Sequence, residues 1–310
     1  PLTLDLTLDA TTNSLAGTLE DVAANSVAVT GWRNAWNSIT NKATAFKALH
    51  TFCLEQPDPD AALPGGHGYG SFTVIEGTGA LTVAGKLADG SAFTTVTFMG
   101  QQGQVLLYQS LYANLGAFSG MLTVVPGGTP ADNTLTGAAS WIKPAAPAAS
   151  MDTVHRAGFG PLPITIDGGA YPILAPGAVV MGLPNTANNA KLEFTGAGLD
   201  EEGKAFNLTF NLLNPSATGL TNKATFPAIN PNKVTMPIIT PATGAFGGDF
   251  TIAGTTPDLN RKVAVLGLIV KRPGGVQGCG FALLPKLPVP PQTVDTSPKR
   301  SVRVVLSAAP

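Results

Sequence analysis

The sequence predicts an all-β protein: two consecutive antiparallel β-barrel, or barrel-like sandwich, domains built of hairpins. Three observations predict it. Glycine and proline supply 62 of the 310 residues, against roughly 12% in average proteins. Charged residues are 12% of the chain, about half the usual ~25%. Apolar and polar residues alternate in short runs that end at Gly, Asn, Asp or Pro, which is the period of a half-buried strand. A coiled coil would be rich in Glu, Lys and Arg and poor in Gly and Pro. A disordered chain would be less apolar than one with 44% hydrophobic residues and a mean hydropathy of +0.21. Eighteen Lys and Arg balance nineteen Asp and Glu, so the basic excess that neutralises phosphates is missing and no nucleic-acid partner is expected.

The elements follow in order. Leu4–Asp9 alternates, Thr11–Ser14 is turn material, and Leu15–Leu19 returns. Residues 71–75, 80–87 and 93–98 repeat the unit, with the tight turn Ala88-Asp89-Gly90-Ser91 supplying left-handed backbone positions. Strands are expected again at 120–125, 134–141, 191–194, 205–210, 233–236, 245–252, 262–270, 278–284 and 301–306. Glycines on return strands, as in Leu15-Ala16-Gly17 and Phe246-Gly247-Gly248, mark bends or close backbone approach, as barrel closure requires. Residues 31–52, with Trp32, Trp36, Ile39, Phe46 and Leu49, keep only part of a helical rhythm and read equally as helix or extended chain.

The Pro/Ala tract Lys143–Ser150 reads as a stiff linker. It predicts a first barrel over 1–142, a linker over 143–163 and a second barrel over 164–310. A second Pro-rich stretch, Pro285–Pro298, crosses the surface before the last strand. No apolar run nears the ~20 residues that span a bilayer; the longest are Val263–Val270 and the proline-broken Tyr171–Leu183. A start at Pro1 rather than Met reads as a processed product whose leader is gone.

From Gly66-His67-Gly68-Tyr69-Gly70 through Gly85-Lys86-Leu87-Ala88-Asp89-Gly90, Tyr108–Tyr112, Gly120–Thr123 and Trp141-Ile142-Lys143-Pro144, the chain resembles a β-rich repeat module of large secreted or surface proteins of Verrucomicrobia and Planctomycetes-type bacteria. Its second half is similar to the companion module in Thr243-Gly244-Ala245-Phe246-Gly247-Gly248-Asp249-Phe250 and Gly278–Pro285. The resemblance implies an extracellular, cell-surface or periplasmic setting and brings no assigned activity. It also implies further Gly-x-Phe-Ser-Gly hairpins ahead of the part matching residue 3, so that the first barrel is either shortened or completed by a partner.

Chemistry-bearing motifs are sparse. His50, His67 and His155 form no H-x-H, H-E-x-x-H or Cys/His cluster of metal-binding spacing. The two cysteines either form one long-range disulfide or stay as buried thiols. His67 in Gly65-Gly66-His67-Gly68 is either a surface ligand contact or a turn residue; His155-Arg156 is expected to be solvated. No Gly-x-Ser-x-Gly elbow and no P-loop occurs. The acidic residues fall in turns, among them Asp58, Asp60 and the cluster Asp200-Glu201-Glu202, which reads as a hairpin tip. Trp32, Trp36, Tyr69, Tyr108, Tyr112 and Trp141, with His67, are the candidate contacts to a ligand or partner. Their alternative role is to bury area in a barrel.

These readings lead to a non-catalytic secreted or cell-surface structural or interaction protein, a subunit of an extracellular assembly, with no cofactor. Protein partners or self-association are expected, through the first strand Leu4–Leu8 and the last, Val302–Leu306, as free edges. A polysaccharide-binding module using the Trp and Tyr faces is the alternative. A hydrolase ranks last, and would return if the fold gathered two carboxylates, or a nucleophile and a histidine, in a cleft.

Overall fold

A computed structural model describes every residue except 58, 59, 61, 148, 149 and 197. Asp58 and the Ala148-Ala149 step of the Pro/Ala tract therefore lie outside the described residues. The chain is almost all β. A three-stranded sheet of β1 (Thr3–Asp9), β2 (Ser14–Glu20) and β3 (Ser26–Trp32) comes first. Eight strands follow: β4 (Leu49–Glu55), β5 (Gly68–Thr73), β6 (Ala80–Lys86), β7 (Ala92–Phe98), β8 (Gln104–Leu111), β9 (Gly116–Val125), β10 (Thr134–Lys143) and β11 (Phe159–Ala170). Their order, β7-β6-β5-β4-β11-β10-β9-β8, is an up-and-down meander whose first and last strands pair. The seam between β7 and β8 is bridged by side chains: Thr95 Oγ1 donates to the Tyr108 carbonyl at 2.8 Å, and Thr94 N–H donates to Gln109 Oε1 at 3.0 Å. The remaining strands are β12 (Ala190–Thr195), β13 (Phe206–Leu213), β14 (Lys223–Thr225), β15 (Thr235–Thr240), β16 (Ala245–Ile252), β17 (Arg261–Arg272), β18 (Gly275–Pro285) and β19 (Lys299–Ala308). They repeat the plan, with β12 paired to β19 and the seam between β14 and β15.

Alternation explains each interior. Phe52, Phe93, Phe118, Leu107, Leu122 and Trp141 fill the first barrel, and Phe194, Phe210, Phe250, Leu192 and Val304 the second. The alternation breaks where both faces of a strand are covered. The inner residues of β4, the end of β17 (Leu268–Val270) and the middle of β18 (Gly278–Ala282) are buried. These strands lie where the barrels meet, and the apolar run Val263–Val270 is one of them.

The structure corrects several expectations. Strand β11 crosses the expected linker and pairs with β10 and β4. The change of sheet falls between Ala170 and Ala190, because the Pro/Ala tract is only a long β10–β11 connection. The 1–142 unit is also not one barrel, since β1–β3 form a separate sheet. Residues 31–52 hold the end of β3, one short 3₁₀ turn at Thr44–Phe46 and the start of β4, without an α-helix. The first strand is an edge as expected, but β19 lies between β12 and β18 and is no free edge. Among the described residues no helix is long and apolar enough to cross a membrane.

Backbone contacts hold the barrels together. His67 N–H donates to the Gly280 carbonyl at 3.1 Å and Lys299 N–H to Thr153 at 2.8 Å. Ser301 Oγ donates to the Ala88 carbonyl and accepts from Gly66 N–H. A Cβ on Gly66 would overlap Ser301 and Phe281, so glycine stands there to let the barrels touch. His155 is buried, not solvated: its Nδ1 lies 3.1 Å from the Ala62 carbonyl and its Nε2 accepts from Ser301 N–H at 3.2 Å. That pairing selects the Nδ1–H tautomer, and burial lowers the His155 pKa.

His50 is the clearest pH-sensitive core group. It stacks on Phe72 at 4.9 Å inside the first barrel, and burial lowers its pKa to about 4. The unfolded chain takes up this proton near the ordinary value of 6.5, so the His50 contribution is intact above that pH and is lost as pH falls toward 4. NMR titration is expected to show an imidazole still neutral at pH 5. Replacing His50 with Gln should flatten the fall in stability over that window, measured by urea unfolding at stepped pH.

Candidate functional site at the junction of the barrels

The polar centre of the molecule lies on the outward faces of β4, β11, β17 and β18, where one barrel covers the other. Cys53 on β4 has Tyr69 and Asp167 as its cross-strand neighbours. Cys279 on β18 lies opposite Leu268 and Val305. Together with Val270 the two cysteines form a small buried cluster, and both are free thiols. His67, immediately before β5, completes a trio. One ligand atom from each of Cys53, His67 and Cys279 lies within 4.8 Å of the others. His67 is 3% exposed, and neither ring nitrogen makes a hydrogen bond.

A ring of charge surrounds this trio. Arg272 at the end of β17 reaches the first barrel, with Nε 2.5 Å from Asp167 Oδ1 and Nη2 2.6 Å from Oδ2 and 2.7 Å from Glu55 Oε2. Its Nη1 lies 3.8 Å from Cys279 Sγ. Glu55 Oε1 stands 3.6 Å from His67 Nε2 and 3.8 Å from an Arg303 nitrogen. Beside them opens a polar cleft of about 420 Å³, lined also by Glu193, Thr195 and Gln277. The His67 imidazole, more than Arg272, holds the Glu55 carboxyl down at about 2. Burial, with Cys279 beside it, pushes the Cys53 thiol up. Burial opposes ionisation of Cys279 too, but the nearness of Cys53, His67 and Arg272 outweighs it and draws that thiol down. For His67, burial favours the neutral ring, and Cys279 and Glu55 overcome it and raise its pKa.

Sequence reading left His67 as a surface ligand contact or a turn residue and did not join it to either cysteine. The fold brings all three together, because β4, the start of β5 and β18 meet face to face. The signal that could have found them is the pairing of two apolar strands, each with a cysteine, with a glycine-rich approach at Gly65–Gly68. Cys279, His67 and Glu55 have the composition of a nucleophile, base and orienting carboxylate. Cys279 has no exposed surface for a substrate to reach, and Glu55 and Asp167 are held by Arg272.

The aromatic candidates do not converge. Trp32 Nε1 donates to the Phe98 carbonyl at 3.4 Å, and Trp36 Nε1 to Met99 at 2.6 Å; these two rings pin the end of the β1–β3 sheet to the first barrel. Tyr69 stacks on Phe281 across the junction at 6.2 Å. Trp141 is 1% exposed and donates to Tyr112 Oη at 3.0 Å, and Tyr112 donates to Asp89 at 2.7 Å. Of the six, only Tyr108 is open to solvent, at 57%. The acidic hairpin tip is occupied by arginines: Glu202 binds Arg261, Glu201 binds Arg300, and Asp200 accepts from Gly196 N–H. A second cleft of about 580 Å³ between the barrels is apolar, lined by Leu49, Tyr171, Ile173, Leu174, Leu220 and Pro241, among others, with Lys47 at its rim.

No family model, curated protein or solved structure matches this chain.

Proposed function

We propose that the protein is a non-catalytic structural and interaction protein of an extracellular assembly, in which the β1–β3 sheet joins one copy of the chain to another. The observation that supports this reading is an uncovered apolar face. In β1, Leu4, Leu6 and Leu8 pair with Leu19, Gly17 and Leu15 of β2, which in turn pair with Val27, Val29 and Gly31 of β3. Every residue of β1 is exposed. Gly17 repeats a position seen inside the second barrel. A Cβ at Gly17 would overlap the Asp5 carbonyl, and one at Gly248 the Thr235 carbonyl. The flanking Leu15 and Leu19 stand where Phe246 and Phe250, both buried, stand in β16. The small sheet is thus a barrel wall whose inner face lacks its opposite wall, and such a face drives association.

A second copy fits the edge. Antiparallel pairing of two β1 strands about Leu6 sets Leu4 opposite Leu8, Asp5 opposite Thr7 and Thr3 opposite Asp9, so no two aspartates face each other. The six strands then form one continuous sheet that carries the leucines of both copies on the same face. The low charge content, and the resemblance to surface-protein modules, agree with this reading. Light scattering of the purified chain is expected to give a dimer, and Leu6→Asp a monomer with an unchanged melting temperature. A wild-type monomer that captures no partner from its source would overturn the proposal.

A further inference from the structure

We propose that Cys53, Cys279 and His67 bind one zinc(II) ion that cross-links the two barrels. Among the described residues this trio is the one group of three or more His, Cys, Asp or Glu side chains placed to share a metal ion. It draws Cys53 and His67 from the first barrel and Cys279 from the second.

The distances fit. Zinc takes sulfur at about 2.3 Å and imidazole nitrogen at about 2.0–2.1 Å in a tetrahedron, which sets ligand atoms roughly 3.5 Å apart. Ligand atoms already within 4.8 Å of one another close to that spacing by small side-chain rotations. His67 supplies the second observation. A buried imidazole with no hydrogen bond at Nδ1 and only a 3.6 Å approach of Glu55 at Nε2 is poorly satisfied and costly, and its two nitrogens have complementary uses here. One coordinates the metal. The other faces the Glu55 carboxylate, as ligating histidines commonly do.

Charge supplies the third. Arg272 and Arg303 offset Glu55 and Asp167, so the ring around the trio is close to neutral with both thiols protonated. Binding releases one proton from each thiol to solvent and forms two zinc–thiolate bonds, and the dication cancels the two new charges. The Arg272 guanidinium beside Cys279 favours the thiolate that binding needs. Calcium and magnesium take oxygen ligands and suit this donor set poorly. With three protein ligands, water or the Glu55 carboxylate fills the fourth corner.

The competing fate of the same thiols is a disulfide, which would leave His67 with Glu55 alone. The test uses the full chain, reduced and stripped with a chelator, then titrated with Co²⁺. One equivalent is expected to bind with thiolate-to-cobalt charge-transfer absorption and tetrahedral visible bands. Zn²⁺ should displace it, raise the melting temperature and release two protons per ion. Cys279→Ser should lose part of the charge-transfer intensity, and His67→Gln should shift the visible bands. Both variants change buried side chains, so the wild-type readings decide. No cobalt–thiolate absorption while denatured protein still titrates two free thiols overturns the proposal. So does an oxidised chain two mass units lighter that takes up no Co²⁺ after reduction.

Discussion

Replacing Lys143 with Met is expected to destabilise the first barrel by about 3–5 kcal/mol, the usual cost of removing one partner of a buried ion pair. Lys143 is 3% exposed at its side chain and lies 3.1 Å from Asp89, whose side chain is 1% exposed. It also reaches Asp152 at 2.9 Å and lies over the Tyr112 ring, 4.6 Å from its centre. Tyr112 donates to Asp89 and accepts from Trp141. Burial, then the Asp89 charge, pushes its phenol up, so the hydroxyl keeps the proton that it donates. Tyr112 has a φ of +53°, an unfavourable region for a bulky side chain, and the network holds it there. Without the ammonium, the Asp89 carboxylate stays buried with only neutral donors. Urea unfolding should therefore show the loss, and Lys143→Met combined with Asp89→Asn should recover much of it. A double variant as unstable as the sum of the singles would refute the coupling.

Replacing Arg272 with Met is expected to cost about 2–3 kcal/mol, less because the ion pairs of Arg272 keep some solvent contact. The more telling effect is on cooperativity. Arg272 belongs to the second barrel, and its partners Glu55 and Asp167 belong to the first. Its loss leaves two neighbouring carboxylates of the first barrel without their shared cation and removes the cation beside Cys279. Calorimetry should show the single melting transition broadening or splitting into two, one per barrel. An unchanged, single transition would show that the hydrogen bonds of Gly66, His155 and Ser301 suffice to couple the barrels.

Several motifs that sequence reading could only mark acquire physical roles in the fold. Trp141-Ile142-Lys143-Pro144 ends β10 with an indole that donates to the Tyr112 hydroxyl and an ammonium that donates to Asp89. Gly65-Gly66-His67-Gly68 resembled a surface turn, and it is the point where the first barrel touches β18 and β19. The strands with clean apolar–polar alternation, such as β2 and β7, were legible because one face meets solvent. Strands β4 and β11 were not, since β4 is covered on both faces and β11 follows a tract that resembles a linker.

The amino-acid sequence by itself determined the class: short alternating runs between glycine and proline turns can bury their apolar faces only in curved antiparallel sheets. It also determined that β1 ends in an apolar face, because a strand's period is a local property. The site was decided by the tertiary structure alone. Cys53 and Cys279 lie 226 positions apart, and although Arg272 stands seven residues before Cys279 on one hairpin, no spacing joins that pair to Cys53 and His67. Only the docking of β4 against β17 and β18 brings two thiols, an imidazole and their neutralising charges to one buried point.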